Sequence, residues 1–120
     1  MITIALPYPP SVNGAFRNVT GRGRVKTARY LTWARAAQNE IINQRTQWHE
    51  KSISGLVHVS VTVNRPDRRK RDLDNLLKAP LDLLVDMGVI EDDSKIHCLS
   101  IRWGQVEGMR VEISEFLEAV

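Results

Sequence analysis

Val57, Val59, Val61 and Val63 alternate with His58, Ser60 and Thr62, and no other stretch constrains the fold so tightly. A period of two in β-branched residues puts every valine on one face of a pleated strand, and that face must be buried. The elements around it follow from their own patterns. Ile2 to Leu6 reads as a first strand, stopped by Pro7, Pro9 and Pro10. From Pro7 to about Lys26 the chain is rich in Pro, Gly, Asn and Arg, so an irregular loop is expected. Thr27 is placed to cap a helix in which Tyr30, Trp33, Ala34, Ala37 and Ile41 recur at helical spacing, ending near Gln47. A second helical pattern joins Leu73, Leu76, Leu77, Leu81, Leu84 and Val85, with Gly88 as its stop. Pro80 falls inside it. Either a helix begun at Asn75 kinks there, or a separate first turn precedes a main body starting near Ala79. Lys95–Trp103 and Met109–Phe116 alternate as strands on either side of a Gly104–Gly108 turn, which reads as a β-hairpin. The order β-α-β-α-β-β predicts an α+β fold: one domain over residues 1–120, a mixed β-sheet with two helices packed on it. A chain of 120 residues can build such a core without disulfide or metal staples.

The formal net charge of +3 says little, but its distribution says more. No Asp or Glu precedes Glu40, whereas Arg17, Arg22, Arg24, Lys26, Arg29 and Arg35 all do. Arg65 to Arg71 holds five basic residues and one acid, a local net of +4, while acids gather late at Glu107, Glu112, Glu115 and Glu118. One positive face suited to a phosphate backbone is expected. Cys98 is the only cysteine, which excludes an intrachain disulfide and points to a reducing, cytoplasmic setting. Three scattered histidines and one cysteine argue against structural zinc. There is neither a long apolar run for a membrane span nor a signal-like N-terminus, so no membrane partner is expected.

The cationic run abuts two carboxylates, Asp72 and Asp74, separated by Leu73. Cations attract a polyanion, whereas paired aspartates repel it and each other. A divalent metal between the carboxylates and a phosphodiester removes the conflict. Mg²⁺ takes hard oxygen ligands, polarises a phosphodiester and lowers the pKa of an attacking water. A third ligand is available in Glu91-Asp92-Asp93, provided the 89–93 segment runs back alongside the second helix. Lys78 lies four residues after Asp74, where one helical turn would place it on the same face, able to stabilise phosphoryl charge. Each element also has a plain reading. Taken alone, the aspartate pair reads as a helix cap, Asp92-Asp93 as a solvated turn, Lys78 as a surface lysine and Arg68–Arg71 as a generic basic patch. Their combination favours metal-dependent cleavage of nucleic acid.

Three blocks resemble a known family. Arg71-Asp72-Leu73-Asp74-Asn75-Leu76-Leu77-Lys78, Gly88-Val89-Ile90-Glu91-Asp92-Asp93 and the opening Leu6-Pro7-Tyr8-Pro9-Pro10-Ser11-Val12-Asn13 are similar, in that order, to motifs of the RusA family of Holliday junction resolvases. The resemblance implies a homodimeric, Mg²⁺-dependent endonuclease, with Mn²⁺ as an alternative ion. Its substrates would be four-way junctions and other branched DNA, nicked in pairs to leave ligatable 5′-phosphate ends during recombination and repair. Phages and prophages often encode such proteins. By position it implies catalytic and metal-binding roles for Asp72, Asp74 and Asp93, preferring Asp93 to Asp92, and a catalytic role for Lys78. Arg68, Arg69, Lys70 and Arg71 would hold phosphates beside the scissile bond, with Arg17, Arg22, Arg24 and Lys26 as further DNA contacts. Pro80 is the one departure, since it could tilt the helix behind the lysine.

Two competing readings use the same residues: a branched-DNA-binding protein that does not cut, and a metal-dependent phosphatase acting on a small substrate. Intact Asp72, Asp74, Asp93 and Lys78 argue against the first. The wide cationic surface argues against the second. Trp33, Trp48 and Trp103 suit packing better than base stacking. His58 and His97 suit hydrogen-bonded structural roles, and Cys98 that of a small buried hydrophobe.

Overall fold

The valine strand takes the centre of the sheet. In the computed structural model, which describes residues 1–117, β4 (Val57–Val63) lies between two partners in a four-stranded sheet. Glu118, one of the late acids, lies outside the described residues. Strand β1 (Ile2–Leu6) pairs antiparallel with β6 (Met109–Glu115), β6 pairs antiparallel with β4, and β4 pairs parallel with β5 (Ile96–Trp103). The register sorts side chains by face. Ile4, Val111, Val61 and Ile101 form one row across the sheet, and Leu6, Met109, Val63 and Trp103 form another. Thr3, Glu112, Ser60 and Ser100 lie in a row on the opposite face. One face is therefore apolar and packed, the other polar, as expected for a half-buried sheet.

Helix α2 (Ala28–Arg45) supplies much of the cover. Thr27 Oγ1 accepts from the Tyr30 amide at 3.2 Å to cap it, and Tyr30, Trp33, Ala34, Ala37 and Ile41 are its buried residues, as the spacing predicts. Trp33 is a core residue whose Nε1 donates to the Pro7 carbonyl at 3.0 Å, and Trp48 packs partly buried against the core. Gln44 closes the outer edge of β1, giving and receiving one hydrogen bond at Ala5, each 2.8 Å. Helix α3 (Lys78–Asp86) is preceded by a separate 3₁₀ turn at Leu73–Leu76, which settles the question of Pro80. Proline sits in the first helical turn, where amides have no intrahelical partner, so no hydrogen bond is lost. Gly88, with φ 69°, ends the helix, its amide donating to Val85 O at 3.0 Å.

Four expectations need correction. Strands β5 and β6 do not form a hairpin: they flank β4, and the 104–108 link passes the end of β4, with Gly104 N bonded to Val63 O and Asn64 N to Gly108 O. The β4 valines, all fully buried on one face, make it the natural centre, and the strand is hydrogen-bonded along both edges. The 7–26 segment is not an irregular loop throughout. A short helix, α1 (Val12–Ala15), capped by Ser11, leads into a two-stranded ribbon of β2 (Phe16–Val19) and β3 (Gly23–Lys26). Cys98 is exposed, because the register sets it beside His58 on the polar face. His97 is also exposed. It falls at a register shift between β4 and β5, and its ring lies 4.3 Å from that of Phe116 in place of a hydrogen bond.

Candidate active site

A parallel pair of strands requires a long crossover, and the β4-to-β5 crossover carries Asp72, Asp74, Lys78 and Asp93. It leaves β4 through the cationic loop. Arg68, Arg69 and Lys70 are exposed, and Arg65 lies over the Trp103 ring at 4.4 Å, which makes Trp103 a half-buried platform at the strand end. Asp67 organises this loop. Its carboxylate accepts from the Arg69 amide at 3.0 Å and from Arg71 Nε and Nη2 at 3.3 and 2.8 Å. The Arg71 hydrogen bond, then the Arg69 amide, holds the Asp67 carboxyl below the usual aspartate range.

Asp72 occupies the N-cap position of the 3₁₀ turn yet makes no side-chain capping bond, and Asp74 lies within that turn. Both are exposed. Among the described residues neither carboxylate has a hydrogen-bond or ion-pair partner, so capping does not account for the pair. Helix α3 begins at Lys78, whose ammonium does not meet Asp74 but lies 3.1 Å from Asp82 Oδ1. The i,i+4 bond thus runs forward along the helix, because Asp74 belongs to the tighter turn before it.

The segment after α3 does run back along the helix, part of the way. Asp93 lines a hollow of ≈ 180 Å³ with Lys26, Asp82, Val85, Asp86 and Asp92. On its other side it borders an open groove with Leu81, Ser94, Ile96, His97 and Leu99. Its return therefore reaches Leu81 and Asp82, one turn from Lys78. The two neighbouring acids differ in role. Asp92 accepts from the Ser94 amide at 3.2 Å and from the Ser94 hydroxyl, and these bonds hold its carboxyl below the usual range. The Asp93 carboxylate has no such partner among the described residues.

Carboxylates suit Mg²⁺ in donor type, and Asp72 and Asp74 are free to coordinate. An ion that keeps most of its waters needs only one or two of them. Among the described residues, however, no three His, Cys, Asp or Glu side chains stand close enough together to hold one ion. The site fits a largely hydrated metal at the aspartate pair and does not form a closed three-carboxylate cage in this conformation.

The ribbon reaches the same region. Arg24 stacks over Phe16 at 4.6 Å and Lys26 over Tyr30 at 5.2 Å, while Phe16 and Tyr30 lie 5.6 Å apart. These contacts tie the ribbon to α2 and leave Arg17 and Arg22 exposed. Burial, then the charges of Asp82 and Asp86, raises the Tyr30 phenol pKa. Sequence reasoning missed Asp67 and Asp82. The i,i+4 spacing from Lys78 was the signal available for Asp82, and the lone acid among five cations was the signal for Asp67.

Comparison with known proteins gives a consistent result. The family described as Endodeoxyribonuclease RusA matches residues 7–114. A protein of Enterobacteria phage HK97 named crossover junction endodeoxyribonuclease rusA is 30% identical over 122 residues, covering 90% of this chain and 88% of its own. The protein of the same name from Escherichia coli K12 is 34% identical over 97 residues, 78% of this chain and 75% of its own. That from Enterobacteria phage 82 is 32% identical over 96 residues, 78% and 74% of the two chains.

Proposed function

The chain belongs to the RusA family of endodeoxyribonucleases, and from that premise we propose that it is a Mg²⁺-dependent endonuclease that resolves Holliday junctions by paired nicks. The observation that carries the reading is the contrast among the acids. Asp67, Asp82 and Asp92 are engaged with protein partners, whereas Asp72, Asp74 and Asp93 are not. Carboxylates left exposed beside a cationic loop suit a metal and a phosphodiester better than they suit stability.

Asp72 and Asp74 would hold the ion, with Asp93 joining as the site closes on DNA. When bound, Mg²⁺ supplies polarisation of the phosphodiester and a more acidic water. Arg68, Arg69, Lys70 and Arg71 hold the backbone on the exit side of β4, where counterion release gives affinity without sequence preference. Arg17 and Arg22 on the ribbon extend that contact along a second arm. Lys78 presents its ammonium to charge developing on the phosphoryl oxygens. Two like cuts on a pseudo-symmetric junction suit a homodimer with two related sites. Sedimentation showing a fully active monomer would remove that part of the proposal. Cytoplasmic residence and a role in recombination and repair follow from the substrate, and among the described residues no helix is long and apolar enough to cross a membrane.

The test is a gel assay on a synthetic four-way junction, with linear duplex as control, in Mg²⁺ and in EDTA. Symmetric nicks in the junction alone, with metal alone, are the expected result. Binding without cutting would favour a structure-specific binder, and cutting of the linear duplex at equal rate would remove the junction assignment.

A further inference from the structure

We infer that Asp82 is a positioning residue for Lys78, an inference that rests on the resolvase reading of this site. Lys78 opens α3 with a side chain that is 48% exposed. An unheld lysine spreads over many rotamers, and fixing it costs side-chain entropy. Asp82, one helical turn on, receives its ammonium at 3.1 Å. As a surface pair of this spacing it contributes little to stability. Its consequence is geometric.

Asp82 is less open than its partner, 27% exposed, and it lies on the wall of the hollow that Asp93 and Lys26 also line. By taking the ammonium there, Asp82 fixes Lys78 on the side of α3 that shares a hollow with Asp93. Lys78 is thus held, between the turn of Asp72 and Asp74 and the hollow of Asp93, by a carboxylate outside the proposed metal set. Asp82 acts through Lys78 and needs no contact with DNA or metal. Its carboxylate is occupied, unlike those of the three proposed metal ligands.

The discriminating experiment measures single-turnover junction cleavage, junction affinity and unfolding midpoint for Asp82→Asn, Asp82→Glu, Lys78→Ala and the Asp82→Asn/Lys78→Ala double variant. Asp82→Ser is carried in parallel for the case in which the amide variant does not fold. Asp82→Asn should slow cleavage roughly tenfold to a hundredfold, the scale of a misplaced catalytic group, with affinity and midpoint unchanged. Asp82→Glu, which also reaches Lys78 across one turn, should restore the rate. In the Lys78→Ala background the Asp82 substitution should add nothing. A fourth readout does not depend on cleavage: the Lys78 ammonium signal in nitrogen NMR should lose its protection from exchange in Asp82→Asn. An unchanged rate, a loss that persists in Asp82→Glu, or a loss that multiplies with Lys78→Ala would each overturn the inference. Wild-type protein that cuts no junction in any metal would overturn the resolvase reading itself, an outcome distinct from all three because it appears before any variant is made.

Discussion

Asp74 and Asp67 lie seven positions apart and meet opposite circumstances, and each leads to its own experiment. Asp74 is exposed at the start of the crossover with no protein partner among the described residues. Replacing it with asparagine removes a metal ligand and a charge that repels phosphate. Asp74→Asn should therefore abolish cleavage while junction binding stays equal or tightens, as read by the gel assay beside a filter-binding isotherm. Normal cutting by that variant would sink the metal-site assignment. Asp67 instead has its carboxyl held low, first by Arg71 and then by the Arg69 amide. A depressed folded-state pKa contributes stability above the unfolded value and loses it as pH falls through the folded value. The cationic loop should then keep its order from neutral pH down past the ordinary aspartate range, about 3.9, and loosen only below it. The Arg69 amide shift, followed by nitrogen NMR through an acid titration, checks this. A midpoint at or above the ordinary value would mean that Arg71 does not hold Asp67 in solution.

The links between elements decide more of this fold than the elements do. Gly88 and Gly108 both adopt positive φ, 69° and 63°, but their surroundings differ. A Cβ at Gly88 meets nothing within 4 Å, whereas one at Gly108 would come to 2.5 Å from the Leu6 carbonyl oxygen. Gly88→Ala should cost only the left-handed penalty, roughly 1–2 kcal/mol. Gly108→Ala should cost more, because the β6 turn must also move off β1. Denaturant midpoints of the two variants test the ranking, and equal losses would contradict the close approach. The same distinction explains what was legible in the sequence. Patterns internal to an element read correctly: the β4 valines, the α2 face from Tyr30 to Ile41, the Thr27 cap and the choice posed by Pro80. Partner choice did not. Strands β5 and β6 are neighbours in sequence with a turn between them, but a five-residue link also spans the roughly 10 Å across an intervening strand. Sequence proximity cannot tell these cases apart. The ribbon escaped notice because its strands of four residues carry glycine and arginine in place of an apolar alternation. At the site, the placement of Asp72, Asp74, Lys78 and Asp93 between β4 and β5 was readable from order alone, but the parallel crossover that they ride on was not. The direction of the Lys78 side chain was not, because the change from 3₁₀ to α geometry between Asp74 and Lys78 leaves no mark in composition.

Across the whole molecule the separation of charge has a geometric cause. The acid-free N-terminal segment becomes the ribbon and α2, the +4 loop leaves the C-terminal end of β4, and α1 joins them by touching both the 3₁₀ turn and α3. The cations therefore approach the candidate site from two directions, while Glu112 lies on the polar face of the sheet and Glu107 in its final turn. Not all of these cations are equally free to meet DNA. Arg71 is held by Asp67 at 2.8 Å, Arg24 lies over Phe16 and Lys26 over Tyr30, whereas Lys70 has no partner among the described residues and Arg69, 81% exposed, meets Asp67 only at 3.7 Å. Each free cation that neutralises a phosphate releases counterion, and the slope of log affinity against log salt steepens by about 0.9 per contact on duplex DNA. Arg69→Ala with Lys70→Ala should thus weaken junction binding and flatten that slope by about 1.8. Arg24→Ala, whose guanidinium is already engaged by an aromatic ring, should change it less than either loop residue. Binding isotherms on one junction at a series of salt concentrations measure all three slopes. An unchanged slope for the loop variant, with a steep loss for Arg24→Ala, would mean that the ribbon and not the crossover carries the backbone, and the scissile phosphate would then have to approach the aspartates from the side of Lys26.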